Sequence, residues 1–398
     1  MLTVGEAKAA QRLSLDPSLY TWLGTVTSLQ GIQYFTGLEF LHLENCSQIS
    51  DISLLSELSN LRELTMDCKI EDISPLSGLT NLTCLALSHS NITNVSPLSG
   101  LTNLTRLTLN DCNITNVRPL ADMVNLWLLD LRDNQITDIS PLSGLTNLSE
   151  LWLQGNNITD VSFLAEMTHL YVVNLSDNII TDLNGLSGLS DLAYLCLNNN
   201  EIKDISALSG LSNLRHLCLD NNKIEDISVL SELTNLEELS LGNITREYNS
   251  EELPSSLNES SFVLKIDYNY TGSLPEQANI LIPVGQEYAG RKVSFALLKE
   301  DKTYEILEKV TVDWNGYITV PQANSGFSYI VVVENQLGDV DGDGKVTADD
   351  ALAILKYLAR LRLTTFVEEA ADCDKDEKIT ADDALAILKY LARIIEAF

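Results

Sequence analysis

Residues 104–117 read LTRLTLNDCNITNV, and the same arrangement returns at 126–139 (LWLLDLRDNQITDI), 148–161 (LSELWLQGNNITDV), 192–205 (LAYLCLNNNEIKDI) and 214–227 (LRHLCLDNNKIEDI). A fixed period of 22 residues means stacked copies of one small unit, none large enough to bury its apolar face alone. The pairs Leu107/Leu109, Leu129/Leu131, Leu151/Leu153, Val173/Leu175, Leu195/Leu197 and Leu217/Leu219 alternate with variable residues, so each marks a short strand with one apolar side. With Leu41/Leu43, Leu64/Met66, Leu85/Leu87 and Leu239/Leu241, ten strands are predicted.

The asparagines at 134, 156, 178, 200 and 222 follow each strand at a constant offset. A side-chain amide there can satisfy backbone groups at the bend and build a ladder through the interior. Cys46, Cys68 and Cys112 occupy the same slot and read as buried structural thiols. Cys196 and Cys218 fall on adjacent strands, where parallel neighbours lie about 4.8 Å apart, so a bridge between them is feasible though uncommon. N-x-S/T triplets such as Asn103 to Thr105 and Asn157 to Thr159 follow from the repeat itself.

The pattern L-x-x-L-x-L-x-x-N/C-x-I, with a return segment DISPLSGLTNL, resembles the leucine-rich repeats of the internalin type. The resemblance implies a curved solenoid with a parallel sheet on its concave side and 3₁₀ turns on its convex side. It extends over residues 31–246, with residues 1–30 as an N-terminal cap whose first part, Val4 to Leu13, is helical. A solenoid of this kind carries no chemistry of its own. It offers strand positions that face outward and are free to vary, and the candidate ligand positions are Leu128, Asp130, Trp152, Val172, Asn174, Tyr194 and His216. Aromatic anchors inside a polar rim suit either a protein hot spot or a sugar-stacking platform.

The period stops after Leu241, and NSEELPSSLNESS at 249–261 is polar and turn-rich, which places a linker at 247–261. Beyond it SFVLKIDY, ANILIPV, RKVSFALL, YEILEKVTV, GYITV and FSYIVVV are six short runs separated by turn signals. They predict a small antiparallel β-sandwich over 262–335, which resembles the immunoglobulin-like modules that precede a dockerin and reads as a spacer.

Two segments near the C-terminus, DVDGDGKVTADDALAILKYLAR from Asp339 and DCDKDEKITADDALAILKYLAR from Asp372, share their last 14 residues. In each, carboxylates at loop positions 1, 3, 5 and 12 can surround a hard cation that takes six to eight oxygens. The first set is Asp339, Asp341, Asp343 and Asp350 with the Lys345 carbonyl and Thr347. The second is Asp372, Asp374, Asp376 and Asp383 with the Lys378 carbonyl and Thr380. Gly344 adopts the positive φ required at position 6 freely, whereas the second loop has Glu377 there and takes on strain of about 1 kcal/mol. Cys373 is a non-ligand loop position.

Position 12 is Asp rather than Glu, and the helix follows the loop instead of preceding it. With the duplication, these features over 337–398 resemble cellulosomal dockerin modules, built from paired F-hand motifs. The resemblance implies two calcium ions and a cohesin domain on a scaffoldin as partner. On the helices, Ala351, Ile354, Leu358 and Leu361 recur at inner-face spacing, while Leu352, Leu355, Lys356, Ala359 and Arg360 lie on another face. The second copy repeats that face as Leu385, Leu388, Lys389, Ala392 and Arg393. A two-helix module of about 60 residues cannot bury both stripes. By resemblance the spare one is the cohesin contact, together with Ala348, Asp349, Ala381 and Asp382.

Acidic residues number 56 against 25 basic ones, a formal charge of −31, which repels a phosphate backbone and excludes nucleic acid as a partner. No apolar run reaches the length of about 18 residues that a membrane span needs. Met1 is followed directly by an amphipathic stretch, so a secretory signal is expected to have preceded it. The whole chain therefore reads as a secreted multidomain protein of the cellulosome or bacterial surface, without catalytic residues, whose solenoid recognises a protein or glycan. A carbohydrate-active enzyme, or an adhesin or protease inhibitor, carried by the same dockerin is the alternative. No nucleophile elbow, HExxH or CxxC set supports the enzyme.

Overall fold

The computed structural model describes residues 4–15, 27–43, 46, 48–245, 262–268, 279–299, 303–320, 328–333, 348–358, 371, 373 and 378–391. These divide into two units, one holding the solenoid to Leu241 and the other beginning at Gly242, each with its own core.

In the first unit eleven strands pair in sequence order, all parallel: β1 (Arg12–Leu15), β2 (Phe40–Leu43), β3 (Glu63–Asp67), β4 (Cys84–Ser88), β5 (Arg106–Thr108), β6 (Leu128–Asp130), β7 (Glu150–Trp152), β8 (Val172–Asn174), β9 (Tyr194–Cys196), β10 (His216–Cys218) and β11 (Glu238–Ser240). The ten predicted strands are present. The eleventh comes from the cap, where helix α1 (Val4–Ala9) ends and Arg12–Leu15 pairs in register with Phe40–Leu43. Leu13, expected at the end of the helix, is therefore a strand residue. A six-residue helix is too short to hold its own and gives way to an edge that offers a full row of backbone partners.

Leu129, Leu151, Val173, Leu195, Leu217 and Leu239 stand opposite one another along one row and are completely buried. Burying each such side chain is worth about 1.5–3 kcal/mol. The chain returns through short 3₁₀ segments, among them Ser74–Leu76, Ser96–Leu98 and Arg118–Leu120, each with a proline in its first turn. Proline suits that place because its φ is already set and its missing N–H has no partner to lose. Asp51, Asp72, Asp138, Asp160, Asp204 and Asp226 each accept the backbone N–H two residues on, at 2.8–2.9 Å, closing the turn that starts the segment.

The predicted asparagine ladder is present. Asn156 donates to the carbonyls of Leu131 and Leu153 at 3.0 Å and accepts the Ile136 N–H at 3.0 Å, so one amide ties neighbouring repeats together inside the core. Asn134, Asn178, Asn200 and Asn222 do the same. Cys46, Cys68 and Cys112 fill the slot as buried thiols. Ser90, which the repeat pattern leaves unremarked, fills it too and donates to the Cys68 carbonyl at 2.5 Å. The residue before the slot is left-handed: Asp133 at φ 54°, Asp177 at 55°, Asn199 at 55°, and Gly155 at 69°, where a Cβ would lie 2.3 Å from Asp133 Oδ1. Asn103, part of an N-x-T triplet, donates to the Thr80 carbonyl of the preceding repeat at 2.8 Å.

In the second unit all six predicted runs are strands: β13 (Phe262–Asp267), β14 (Asn279–Pro283), β15 (Lys292–Leu298), β16 (Tyr304–Thr311), β17 (Tyr317–Val320) and β18 (Ser328–Val333). A further strand, β12 (Asn243–Thr245), pairs antiparallel with β13. The sheet order is β12-β13-β18-β15-β16, and β14 and β17 form an antiparallel pair. The sequence extends the solenoid to residue 246, but Asn243–Thr245 has joined this sheet. Gly242, at φ 151°, is where the backbone leaves the repeat. Phe295 stacks on Tyr329 at 4.9 Å, and Tyr268 meets the edge of Tyr329 at 5.6 Å, filling one side of the sheet.

Two helices of identical sequence follow, α2 (Ala348–Leu358) and α3 (Ala381–Leu391). Ala351, Ala353, Ile354, Ala371, Cys373, Ala384 and Ile387 form their shared core. Leu358, expected on the inner face, is 40% exposed. Small residues let the helices approach closely, and that leaves no room between them for a leucine at the end of the first. Leu361 lies outside the described residues.

Candidate functional site

Two surfaces come from the elements just described. On the outward side of the parallel sheet, register places Leu128, Glu150, Val172, Tyr194 and His216 in one row, and Asp130, Trp152, Asn174, Cys196 and Cys218 in the next. Leu128, Trp152, Val172, Tyr194 and His216 are half-buried, while Asp130 and Asn174 are buried. The aromatic groups come together: Tyr194 stacks on His216 at 4.3 Å, and Trp152 lies 6.3 Å from Tyr194.

The two polar members are already committed. Arg132 grips Asp130 through Nε at 3.0 Å and Nη2 at 2.7 Å, and its guanidinium sits over the Trp152 ring at 5.5 Å. Asn174 accepts the Ser176 N–H and donates to Gln154 Oε1. The alternation puts Arg132 on the outward side too, but it is not among the candidate ligand positions, because its role depends on a side-chain path back across its own strand. Sequence reading passed over Trp127 and Tyr171, 40% and 52% exposed, which precede their strands and belong to neither alternating row. Beside the aromatic stack, hydrogen bonding with Cys218 pulls the Cys196 thiol down against the opposing effect of burial, and the same bond, with burial, pushes Cys218 up. Burial also raises Asp220 well above the carboxylate range, and the Ser240 hydroxyl donates to it.

The second surface is the helical pair. Asp350 and Asp383, the position-12 carboxylates, are fully buried at the starts of α2 and α3. Asp383 accepts the Cys373 N–H on Oδ1 and the Thr380 N–H on Oδ2, each at 2.7 Å, which folds the second loop back so that its beginning and end meet. A closed loop with an inward carboxylate is what a hard cation needs, and each oxygen keeps a lone pair for it. Lys378 and Thr380 lie on that same loop. Asp339, Asp341, Asp343, Lys345, Thr347, Asp372, Asp374 and Asp376, with Glu377, lie outside the described residues.

On the outer side Leu352, Leu355, Leu385 and Leu388 are 44–45% exposed, with Ala348, Asp349, Lys356, Ala381, Asp382 and Lys389 also exposed. Leu358 and Leu391 extend the same apolar edge. Ala359, Arg360, Ala392 and Arg393 lie outside the described residues.

Comparison with known families matches leucine-rich repeats at 36–78, 80–122, 124–166, 147–188, 190–232 and 212–250, more than half of the chain. The chain belongs to the leucine-rich-repeat family. A dockerin type I domain, a calcium-binding module, matches residues 337–392, so this is a leucine-rich-repeat protein that carries a dockerin. Both are non-catalytic families.

Among solved structures the leucine-rich-repeat region is similar to an internalin, inlF, from Listeria monocytogenes: 38% identity over 61% of this chain and 76% of that one, TM-score 0.53. A second internalin of that organism, inlC2, is 34% identical over 60% of this chain and 84% of that one, with a TM-score of 0.37. No curated protein matches the chain. Among the described residues no helix is long and apolar enough to cross a membrane.

Proposed function

We propose that this leucine-rich-repeat protein is a secreted, non-catalytic component of a cellulosome-type assembly, held there by calcium-dependent binding of its dockerin to a cohesin on a scaffoldin. The observation that carries this reading is the pair of identical helices. Their core is made of alanines, a cysteine and two isoleucines, their aspartates are buried at the helix starts, and their outer leucines stay half in water. Two loops of matching ligand pattern take two calcium ions, held by Asp339, Asp341, Asp343, Lys345, Thr347 and Asp350, and by Asp372, Asp374, Asp376, Lys378, Thr380 and Asp383. When bound, the ions supply the positive charge that lets these carboxylates stand close together. Leu352, Leu355, Lys356, Ala359 and Arg360, or their counterparts Leu385, Leu388, Lys389, Ala392 and Arg393, then meet the cohesin, with Ala348, Asp349, Ala381 and Asp382 at the helix starts.

The solenoid presents a protein-binding face and the β-module spaces it from the dockerin. A protein ligand is favoured over a glycan because leucine-rich repeats are an interaction family, and Trp152, Tyr194 and His216 beside the Arg132–Asp130 ion pair supply the aromatic and charged anchors of a protein hot spot.

Equal helices allow two docking orientations. Reversing the charges of Lys356 and Arg360 alone, or of Lys389 and Arg393 alone, leaves cohesin binding within about tenfold, whereas reversing all four abolishes it in a calcium-containing binding titration. Loss of binding from either pair alone overturns the dual orientation. Equal capture with calcium and with a chelator overturns the assignment itself.

A further inference from the structure

Three strands of the solenoid converge on a cluster that neither the repeat nor the dockerin requires. Cys196 ends β9, His216 and Cys218 lie on β10, and one ligand atom from each falls within 4.8 Å of the others. The two Sγ atoms are 2.7 Å apart, and His216 Nε2 is 3.1 Å from Cys218 Sγ. On β11, Glu238 reaches His216 Nδ1 with Oε2 at 2.6 Å.

The tautomer follows from that last contact. A carboxylate only accepts, so Nδ1 carries the proton, and in the neutral ring Nε2 presents its lone pair toward the sulfurs. A carboxylate behind a histidine whose other nitrogen faces two cysteines is the outer-shell arrangement of metal-bound imidazole. The cysteines are buried and the histidine side chain keeps 18% of its surface in water, so an ion would be shielded on the sulfur side and reachable on the other.

We propose that Cys196, His216 and Cys218 form a binding site for a thiophilic divalent cation of the zinc class, with Glu238 orienting the histidine and water completing a tetrahedron. Two thiolates and an imidazole select such an ion over calcium or magnesium, which take oxygen ligands. Zinc–sulfur and zinc–nitrogen bonds of about 2.3 and 2.0–2.1 Å space tetrahedral ligand atoms roughly 3.6–3.8 Å apart. The sulfurs therefore part by about 1 Å on binding, through side-chain rotation on two strands already about 4.8 Å apart. Asp220 and Tyr194 flank the cluster. Asp220 is fully buried and held by Ser240, while Tyr194 covers the imidazole face. Such an ion would pin β9 to β10 beside the aromatic stack and stiffen the face that receives a ligand.

The experiment uses the full chain, reduced and saturated with calcium so that the dockerin loops are filled, with Co²⁺ as the probe. Thiolate-to-cobalt charge-transfer absorption is expected to saturate at one equivalent and to be abolished by Zn²⁺. Cys196→Ser weakens Co²⁺ binding at least about 100-fold, and Glu238→Gln weakens it about 10–100-fold. Because the cysteines are buried, His216→Gln on the less buried member gives the same loss if a cysteine variant fails to fold. Absence of the absorption in the reduced wild type, its persistence in both Cys196→Ser and His216→Gln, or a Cys196–Cys218 disulfide dominating protein purified with Zn²⁺ present overturns the proposal. Cohesin capture is unaffected in every arm, which separates this site from the dockerin reading.

Discussion

The solenoid and the helical pair are both built by repetition, yet they are stabilised in different ways. In the solenoid each repeat is completed by the next: Leu129, Leu151 and Val173 form one continuous row, and Asn134, Asn156 and Asn178 bond across repeat boundaries. The helical pair has two copies, a core made of alanines, two isoleucines and a cysteine, and two fully buried carboxylates. A row of apolar neighbours needs nothing from outside, whereas buried charge needs a counter-charge. The difference teaches that an interlocking apolar repeat is complete in itself, whereas two small units with carboxylates in their interior suit the proposed binding of an ion.

The largest test of that contrast is removal of calcium. With the two proposed sites each held at 100 times its dissociation constant, the ions contribute about 2.7 kcal/mol apiece, about 5 kcal/mol together. Chelation is therefore expected to make the region from Asp339 onward sensitive to limited proteolysis while the solenoid's own thermal transition stays in place. A solenoid transition that moves with calcium would break the comparison.

A smaller effect is expected from Asn178→Ala, which leaves buried backbone groups of two adjacent repeats without their partner: the carbonyls of Leu153 and Leu175 and the Ile158 N–H. The loss is about 2–3 kcal/mol in denaturant unfolding. Asn178→Cys, copying the residue that other repeats use, recovers part of it.

The smallest effect is in acid. The serine N–H, with its hydroxyl second, holds Asp51, Asp72, Asp160 and Asp204 below the ordinary carboxylate value, and the hydroxyl followed by the N–H does so for Asp138 and Asp226. A depressed folded-state value means that the stabilisation is present above about pH 4 and is lost as pH falls through the folded values. Burial raises Asp133 and Asp220 and gives the opposite sign, stability gained on protonation. The midpoint of solenoid unfolding should therefore rise somewhat from neutral pH toward about pH 4, where protonation of Asp220 favours the folded state, and fall below it as the six depressed aspartates are protonated, and Asp226→Asn should flatten that fall slightly.

Much of this was legible without coordinates because it is local or periodic. The strands from Leu41 onward, the asparagine slot and the six runs of the β-module recur at spacings that depend only on neighbouring residues. The helices Ala348–Leu358 and Ala381–Leu391, with the exposed Leu352, Leu355, Leu385 and Leu388, followed from spacing and from the small size of the module. Less legible were features set by competition between partners. Arg12–Leu15 had no repeat signature, and a free sheet edge recruited it. Asn243–Thr245 looked like the tail of the last repeat, and an antiparallel partner took it. Leu358 matched the inner stripe and was excluded by close packing of alanines.

By itself the sequence determined the period, the buried rows, the acidic loops and the duplicated helix, since spacing decides which residues share a face and which carboxylates share a loop. Only the tertiary structure decided which side chains close on one another across strands. Arg132 turning back onto Asp130 and Trp152, and His216 reaching Glu238 with one nitrogen and Cys218 with the other, depend on rotamers selected jointly by neighbours two residues away on the same strand and 20 or 22 residues away on the next. A repeat specifies position on a face, while the direction of a polar side chain is chosen by whichever partner in space satisfies it best.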